Sequence, residues 1–207
     1  SSRGLYQAGQ ATIPSDTACF PAKLSHGHIH ALTQMQLDAI FYPCLTYNLD
    51  EGLGDNHYNC PVVAYYPELL AANVPSLKNT RFLNPYVGLW RHKDFEKRIA
   101  QQMLQEFNIP KKESQAAAKA AYGAYQAYVE DGRATGKQYI EYARENGLNI
   151  IVVCGRPYHI DPEINHGIND LITSFGLVLI TEETLAYREG YETRTVLNQW
   201  TFQSRRD

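Results

Sequence analysis

Apolar positions recur at helical spacing from Pro21 onward, with Ala22, Leu24, Ile29, Leu32 and Met35 on the stripe, and predict a long helix there. Residues 1–12 read as the tail of another helix with no strand before it, as expected of a piece of a longer chain. The apolar run 39–43 has strand character and delivers Cys44 to its C-terminal end. A polar, Gly-bearing stretch over 48–59 reads as a loop. The run V-V-A-Y-Y at 62–66 predicts a second strand, and Pro67 suits the first turn of a short helix after it. Residues 75–91, with Pro75, Asn84-Pro85 and Gly88, read as a linker.

Beyond it, 93–107 carries a charged amphipathic pattern that stops before Pro110. Residues 112–131 are rich in Ala and Tyr, and Tyr122, Tyr125 and Tyr128 at three-residue spacing predict a packed ridge. A further helix over 135–146 ends at Gly147, a residue suited to a C-cap. The run N-I-I-V-V-C at 149–154 is the clearest strand, with the apolar pattern of a buried parallel strand, and Cys154 at its end reads as a core thiol. A helix over 161–175, a short strand over 177–180 and a helix opening at Thr181 with Glu182 and Glu183 complete the pattern. Strand alternating with helix predicts an α/β chain with mostly parallel sheets flanked by helices. Two lobes are expected: a cysteine-bearing α/β lobe over 1–80, then a helical linker and second α/β lobe over 81–207. Ligands of such sheets gather at the carboxyl ends of the strands. Cys44, the neighbourhood of Cys60 and the 155–159 segment are all expected there.

A chain of 207 residues suffices for one generous domain or two small lobes. The charge balance, 19 basic against 22 acidic residues, gives −3 with no basic run, which lends no support to a nucleic-acid partner. No apolar run is long enough to span a bilayer, and no signal-peptide pattern is present. Four cysteines are too few for a disulfide scaffold, so a reducing cytoplasm is the expected setting. The fifteen tyrosines suggest no function by number alone.

The cysteines carry the strongest chemical signal. Cys19 has Pro21 two residues on, Cys44 follows Pro43, and Cys60 precedes Pro61. Proline stiffens each setting, and three thiols on stiff loops suit a soft-metal site, an iron–sulfur cluster or zinc; the alternative is inert core thiols. There is no C-x-x-C to favour a zinc ribbon or thioredoxin site. H-G-H-I-H at 26–30 puts His26 and His30 on one helix face at zinc-binding spacing, yet no Glu follows the first His as in a metalloprotease. Hydrogen bonding of His26 and His28 near the cysteines is the better expectation, and Gly27 within the helix hints at a close backbone or ligand approach. In G-R-P-Y-H-I-D-P at 155–162, Arg156 could hold a phosphate or carboxylate, and Tyr158 and His159 could donate hydrogen bonds; the alternative is a loop that these groups only stabilise. No G-x-G-x-x-G or P-loop occurs, so no ATP site is expected in the segment.

Taken together, T-I-P-S-D-T-A-C-F-P-A-K-L-S-H-G-H, then P-C, D-N-H-Y-N-C-P and G-R-P-Y-H-I-D-P-E-I-N-H-G-I resemble the uncharacterised region of large CoA-substrate-specific enzyme activases, relatives of 2-hydroxyglutaryl-CoA dehydratase activators. The resemblance runs from about residue 12 to 205. It implies ATP-hydrolysing activase modules elsewhere, in the same or another chain, and similarity to dehydratase subunits with Rossmann-like or flavodoxin-like lobes. Those subunits hold a [4Fe–4S] or double-cubane cluster through cysteines. Carried over, Cys19, Cys44 and Cys60 would ligate such a cluster in an anaerobic-type redox protein. The cluster would accept an electron for reduction of a CoA thioester or other small substrate, as part of an acyl-CoA dehydratase-like or reductase system. Arg156, Tyr158, His159 and His166 would line that site. Two other readings stand beside it. One is a non-catalytic docking module for a dehydratase or activase; the other is a structural zinc site of three cysteines with His26, His28 or His57 as fourth ligand.

Overall fold

The computed structural model describes residues 1–50 and 57–185, which form two compact units, residues 1–50 with 57–91 and residues 92–185. The first unit opens with α1 (Ser2–Gly9), started by the Ser1 hydroxyl, which accepts from the Gly4 amide. Helix α1 and the 3-10 turn Gln10–Thr12 cover the stretch read as helical. The α1 helix packs on α2 (Phe20–Thr33) by a glycine crossing: Gly9 and Gly27 bring the two backbones together. A Cβ at Gly27 would run into the Leu5 carbonyl, so the close approach anticipated there is helix against helix.

The strands β1 (Ile40–Phe41) and β2 (Cys44–Tyr47) pair in parallel with β3 (Phe82–Leu83) and β4 (Tyr86–Gly88). Partners 40 with 82, 41 with 83, 44 with 86 and 45 with 87 share one offset of 42, so the four pieces are a single ladder. Donors on the first strand are the even residues Ile40, Tyr42 and Cys44. Pro43 falls on an odd position, where its missing N–H is not required. The same pattern asks Pro85 to donate to Tyr42, which it cannot do, and the ladder is interrupted there. Helix α3 (Pro61–Asn73) connects the two halves as a parallel crossover.

Two expectations are overturned here. Residues 62–66 are the first turns of α3, not a strand, because Cys60 caps a helix whose first residue is Pro61; Pro67 lies buried inside that helix. The 75–91 segment is not a linker but supplies β3 and β4, so the first unit extends to Arg91. Its core joins Ala22 and Ile29 of α2 to Ile40, Tyr66, Leu70, Val74 and Leu77.

The second unit begins with a hairpin of α4 (His92–Phe107) and α5 (Lys111–Glu145). The two helices expected over 112–131 and 135–146 are one 35-residue helix, continuous through Gly132. Nor is the tyrosine ridge packed. Tyr122 stacks on His92, the first residue of α4, at 3.7 Å; farther on α5 has outrun α4, leaving Tyr125 45% and Tyr128 73% exposed. The strands β5 (Ile150–Val153) and β6 (Val178–Thr181) pair in parallel, with Ala143 of α5 buried against Val178 and Ile180. Because β5 has one partner strand among the described residues, it is half-buried rather than enclosed. The expected 161–175 helix is broken into α6 (Pro162–Asn165) and α7 (Ile168–Ser174) by left-handed His166 and Gly167. A single 3-10 turn, Glu182–Thr184, follows β6 in place of the expected helix opening; later residues lie outside the described part. The class is α/β, built from helices and short parallel pairs. No described helix is long and apolar enough to cross a membrane.

Candidate functional site

Cys19 and Cys60 occupy matching positions. Each is the N-cap of a helix, α2 or α3, with φ/ψ of −64°/158° and −60°/155°, and a proline stands in the first turn of both. The proline that stiffens each thiol is thus a helix-start signal. His26, seven residues after Cys19, bonds Tyr66, six residues after Cys60, at 3.0 Å. Helix α2 also contacts the 3-10 turn Pro75–Asn79 beyond the C-terminus of α3. A crossover helix returns against its strands, so the α3 N-cap at Cys60 lies toward the carboxyl end of β2.

Cys44 is different. It lies within the ladder, not at its end, and is fully buried. Burial, and then the Glu68 carboxylate, push its thiol above the ordinary value, although the Glu68 amide partly offsets this. Glu68 is eight residues beyond Cys60 on α3, about 12 Å along the axis at 1.5 Å per residue. Two thiolates on one zinc, each about 2.3 Å from it, lie within about 5 Å of each other. Among the described residues no group of three or more His, Cys, Asp or Glu is arranged to hold a metal ion. Cys19 and Cys60 thus stand at helix starts, whereas Cys44 is buried inside the ladder.

The histidines divide in the same way. His26 is fully buried, while His28 and His30 are exposed, so the zinc-type spacing of His26 and His30 brings no pair together. Thr12 donates its hydroxyl proton to the Gly9 carbonyl at 3.0 Å and so accepts, at 2.8 Å, from Nδ1–H of His26. Nε2 of the neutral ring then accepts from Tyr66. Burial lowers the His26 pKa, and it raises that of Tyr66, with Cys19 the next contributor. This string extends to the charge neighbourhood of Cys19, and Thr12 and Tyr66 carried no sequence signal of their part in it. His57 lies 3.7 Å from Asp50 and stacks on Trp90 at 5.9 Å.

Arg156, Tyr158, His159 and His166 belong to the second unit. The Arg156 amide donates to His159 Nδ1 at 3.0 Å, and the His159 ring stands edge-on to Tyr158 at 4.6 Å, which folds the 155–159 segment on itself. His166 is exposed in the left-handed turn. Cys154, expected in the core, is exposed just past the end of β5. Sequence reasoning also missed Glu182, which is 5% exposed with Oε2 unbonded; it continues the alternation of buried Val178 and Ile180, which could have marked it.

A family model described as the CoA enzyme activase uncharacterised domain matches residues 1–185. Neither the curated proteins nor the solved structures gave a match.

Proposed function

The chain belongs to the CoA enzyme activase uncharacterised-domain family, and on that premise we propose an activase-related redox module that works with a dehydratase-type partner. Its first unit would hold an iron–sulfur cluster, [4Fe–4S] or double-cubane, through Cys19 and Cys60. The matching placement of these two thiols at helix N-termini carries the reading. Such a cluster supplies one-electron chemistry, here toward a CoA thioester or another small substrate. The Thr12–His26–Tyr66 string fixes the side-chain order between α2 and α3. Two thiols are half of a four-ligand set; the other ligands would come from outside this arrangement, a partner chain included. The electron would come from an ATP-hydrolysing activase module.

A second reading, a docking module without chemistry of its own, is favoured by the absence of an assembled three-ligand group among the described residues. One experiment separates them. Iron, acid-labile sulfide and zinc are measured per chain on protein purified without oxygen, in wild type and in Cys19→Ala, Cys60→Ala and Cys44→Ala. About four irons or more, lost in the first two variants and kept in the third, is the expected result. A folded wild type without iron would overturn the redox reading in favour of docking; stoichiometric zinc would replace it with a structural metal site.

A further inference from the structure

The first unit carries a continuous series of aromatic side chains that the cysteine chemistry does not use. Trp90 stacks with Tyr47 at 6.2 Å and 28°, and Tyr47 meets Tyr58 edge-on at 4.7 Å. The Tyr58 and Tyr65 hydroxyls are hydrogen-bonded at 2.6 Å, and the Tyr65 ring lies 6.0 Å from Tyr86. Tyr86 donates its hydroxyl to the Glu68 carboxylate. The series is ordered end to end, and its two ends differ chemically. At one, the Arg91 guanidinium lies 4.5 Å over the Trp90 ring, where a fixed positive charge disfavours a radical cation. At the other, a phenol is already bonded to a base.

We propose that Trp90, Tyr47, Tyr58, Tyr65 and Tyr86 form a relay that carries an oxidising equivalent from the Trp90 end to Tyr86, with Glu68 as the proton acceptor. A small inorganic radical meeting Trp90 takes one electron, becomes its anion, and leaves a tryptophan radical cation. An electron then passes from Tyr86 through the intervening rings to Trp90, while the Tyr86 hydroxyl proton moves to the Glu68 carboxylate. The balance is one tryptophan radical cation plus tyrosine and carboxylate, giving tryptophan, a neutral tyrosyl radical and a carboxylic acid. Tyr86 is the natural terminus because phenol oxidation requires loss of the hydroxyl proton, and an acceptor is in place. The hydroxyl pair of Tyr58 and Tyr65 holds the middle of the series together; the rings lie on β2, β4, the bend after β4, α3 and the 57–60 segment, all in one unit. The relay does not depend on a cluster at Cys19 and Cys60.

The test is pulse radiolysis of the full chain with azide radical, a one-electron oxidant that attacks tryptophan faster than tyrosine. A Trp200→Phe background leaves Trp90 as the sole tryptophan of the two in the sequence. The tryptophan-radical absorption is expected to convert into tyrosyl absorption, and this conversion to be lost in both Tyr47→Phe and Tyr86→Phe. Both changes keep a packed ring, and circular dichroism verifies the fold. Tyr128→Phe, off the series, retains the conversion. Conversion unchanged in either Tyr47→Phe or Tyr86→Phe overturns the relay, whatever the iron content of the protein.

Discussion

Gly27→Ala tests the first unit at its tightest point. A Cβ added at Gly27 would run into the Leu5 carbonyl and come 2.9 Å from the Leu5 Cα; one added at Gly9 would come 2.8 Å from the Gly27 Cα. These neighbours are backbone atoms of a second helix, so no flexible side chain can move aside and α1 must lift from α2. Overpacking of this kind costs about 1–3 kcal/mol or more. The gain in helix propensity from Gly to Ala, roughly 1 kcal/mol, offsets part of it. Because the obstruction is rigid, the upper part of that range applies and a net loss of about 2 kcal/mol is expected. For a unit of this size that corresponds to a fall of roughly 8–16 °C in Tm. Gly123 provides the internal comparison: it lies in α5 with nothing within 4 Å of an added Cβ, so Gly123→Ala keeps only the propensity gain and should stabilise by about 1 kcal/mol. Thermal unfolding followed by circular dichroism, with hydrogen exchange to localise each change, reads both variants. An unchanged or raised stability of the first unit in Gly27→Ala would refute the glycine crossing.

The two units should respond oppositely to pH. Burial lowers the His26 pKa from 6.5, so the folded first unit binds fewer protons than the unfolded chain; this contribution is full above pH 6.5 and is lost as pH falls toward the lowered folded value. Although Glu183 is exposed, partial desolvation, and then Glu182, raise its carboxyl above 4.5, so the second unit is favoured below pH 4.5 and loses this contribution as pH rises through the folded value. Hydrogen exchange against pH, corrected for intrinsic rates, checks both signs, and an acid limb in the first unit that survives His26→Gln would remove His26 as its cause. Gly136→Ala should loosen the second unit, because an added Cβ meets the Thr184 carbonyl and lies 2.7 Å from the Thr184 Cβ. A loss of about 1–3 kcal/mol, read by urea unfolding, is expected, and no loss would mean that the turn after β6 yields freely.

Elements whose own pattern decides them were legible in the sequence: α2, α4, the strands at Ile40, Ile150 and Val178, and the α/β class with its parallel pairing. What failed was decided by partners. V-V-A-Y-Y has the same apolar signature in a buried helix as in a strand, and the Cys60-Pro61 start settles it. Pro85 reads as a linker residue because a proline removes a rung; that one lost rung is tolerable becomes visible only once the offset of 42 aligns 82–87 with 40–45. The three-residue spacing of Tyr122, Tyr125 and Tyr128 correctly implies a helix. Where α4 begins is a tertiary fact, and it decides which of these rings is covered.

The thiols follow the same logic. A neighbouring proline marks stiff backbone, but stiffness has two origins here. At Cys19 and Cys60 the proline follows the cysteine within two residues and starts a helix, leaving the thiol at the positive end of that helix. At Cys44 the proline comes first, on a strand position that needs no donor, and the chain continues into the core with the thiol inside it. Sequence order, Cys before Pro or Pro before Cys, therefore separates two thiols at helix starts from one that packs inside the ladder. The asymmetry is physical: proline's fixed φ suits the first turn of a helix, so a cysteine just ahead of that turn becomes its cap, whereas a cysteine after a strand proline inherits the alternation of the ladder.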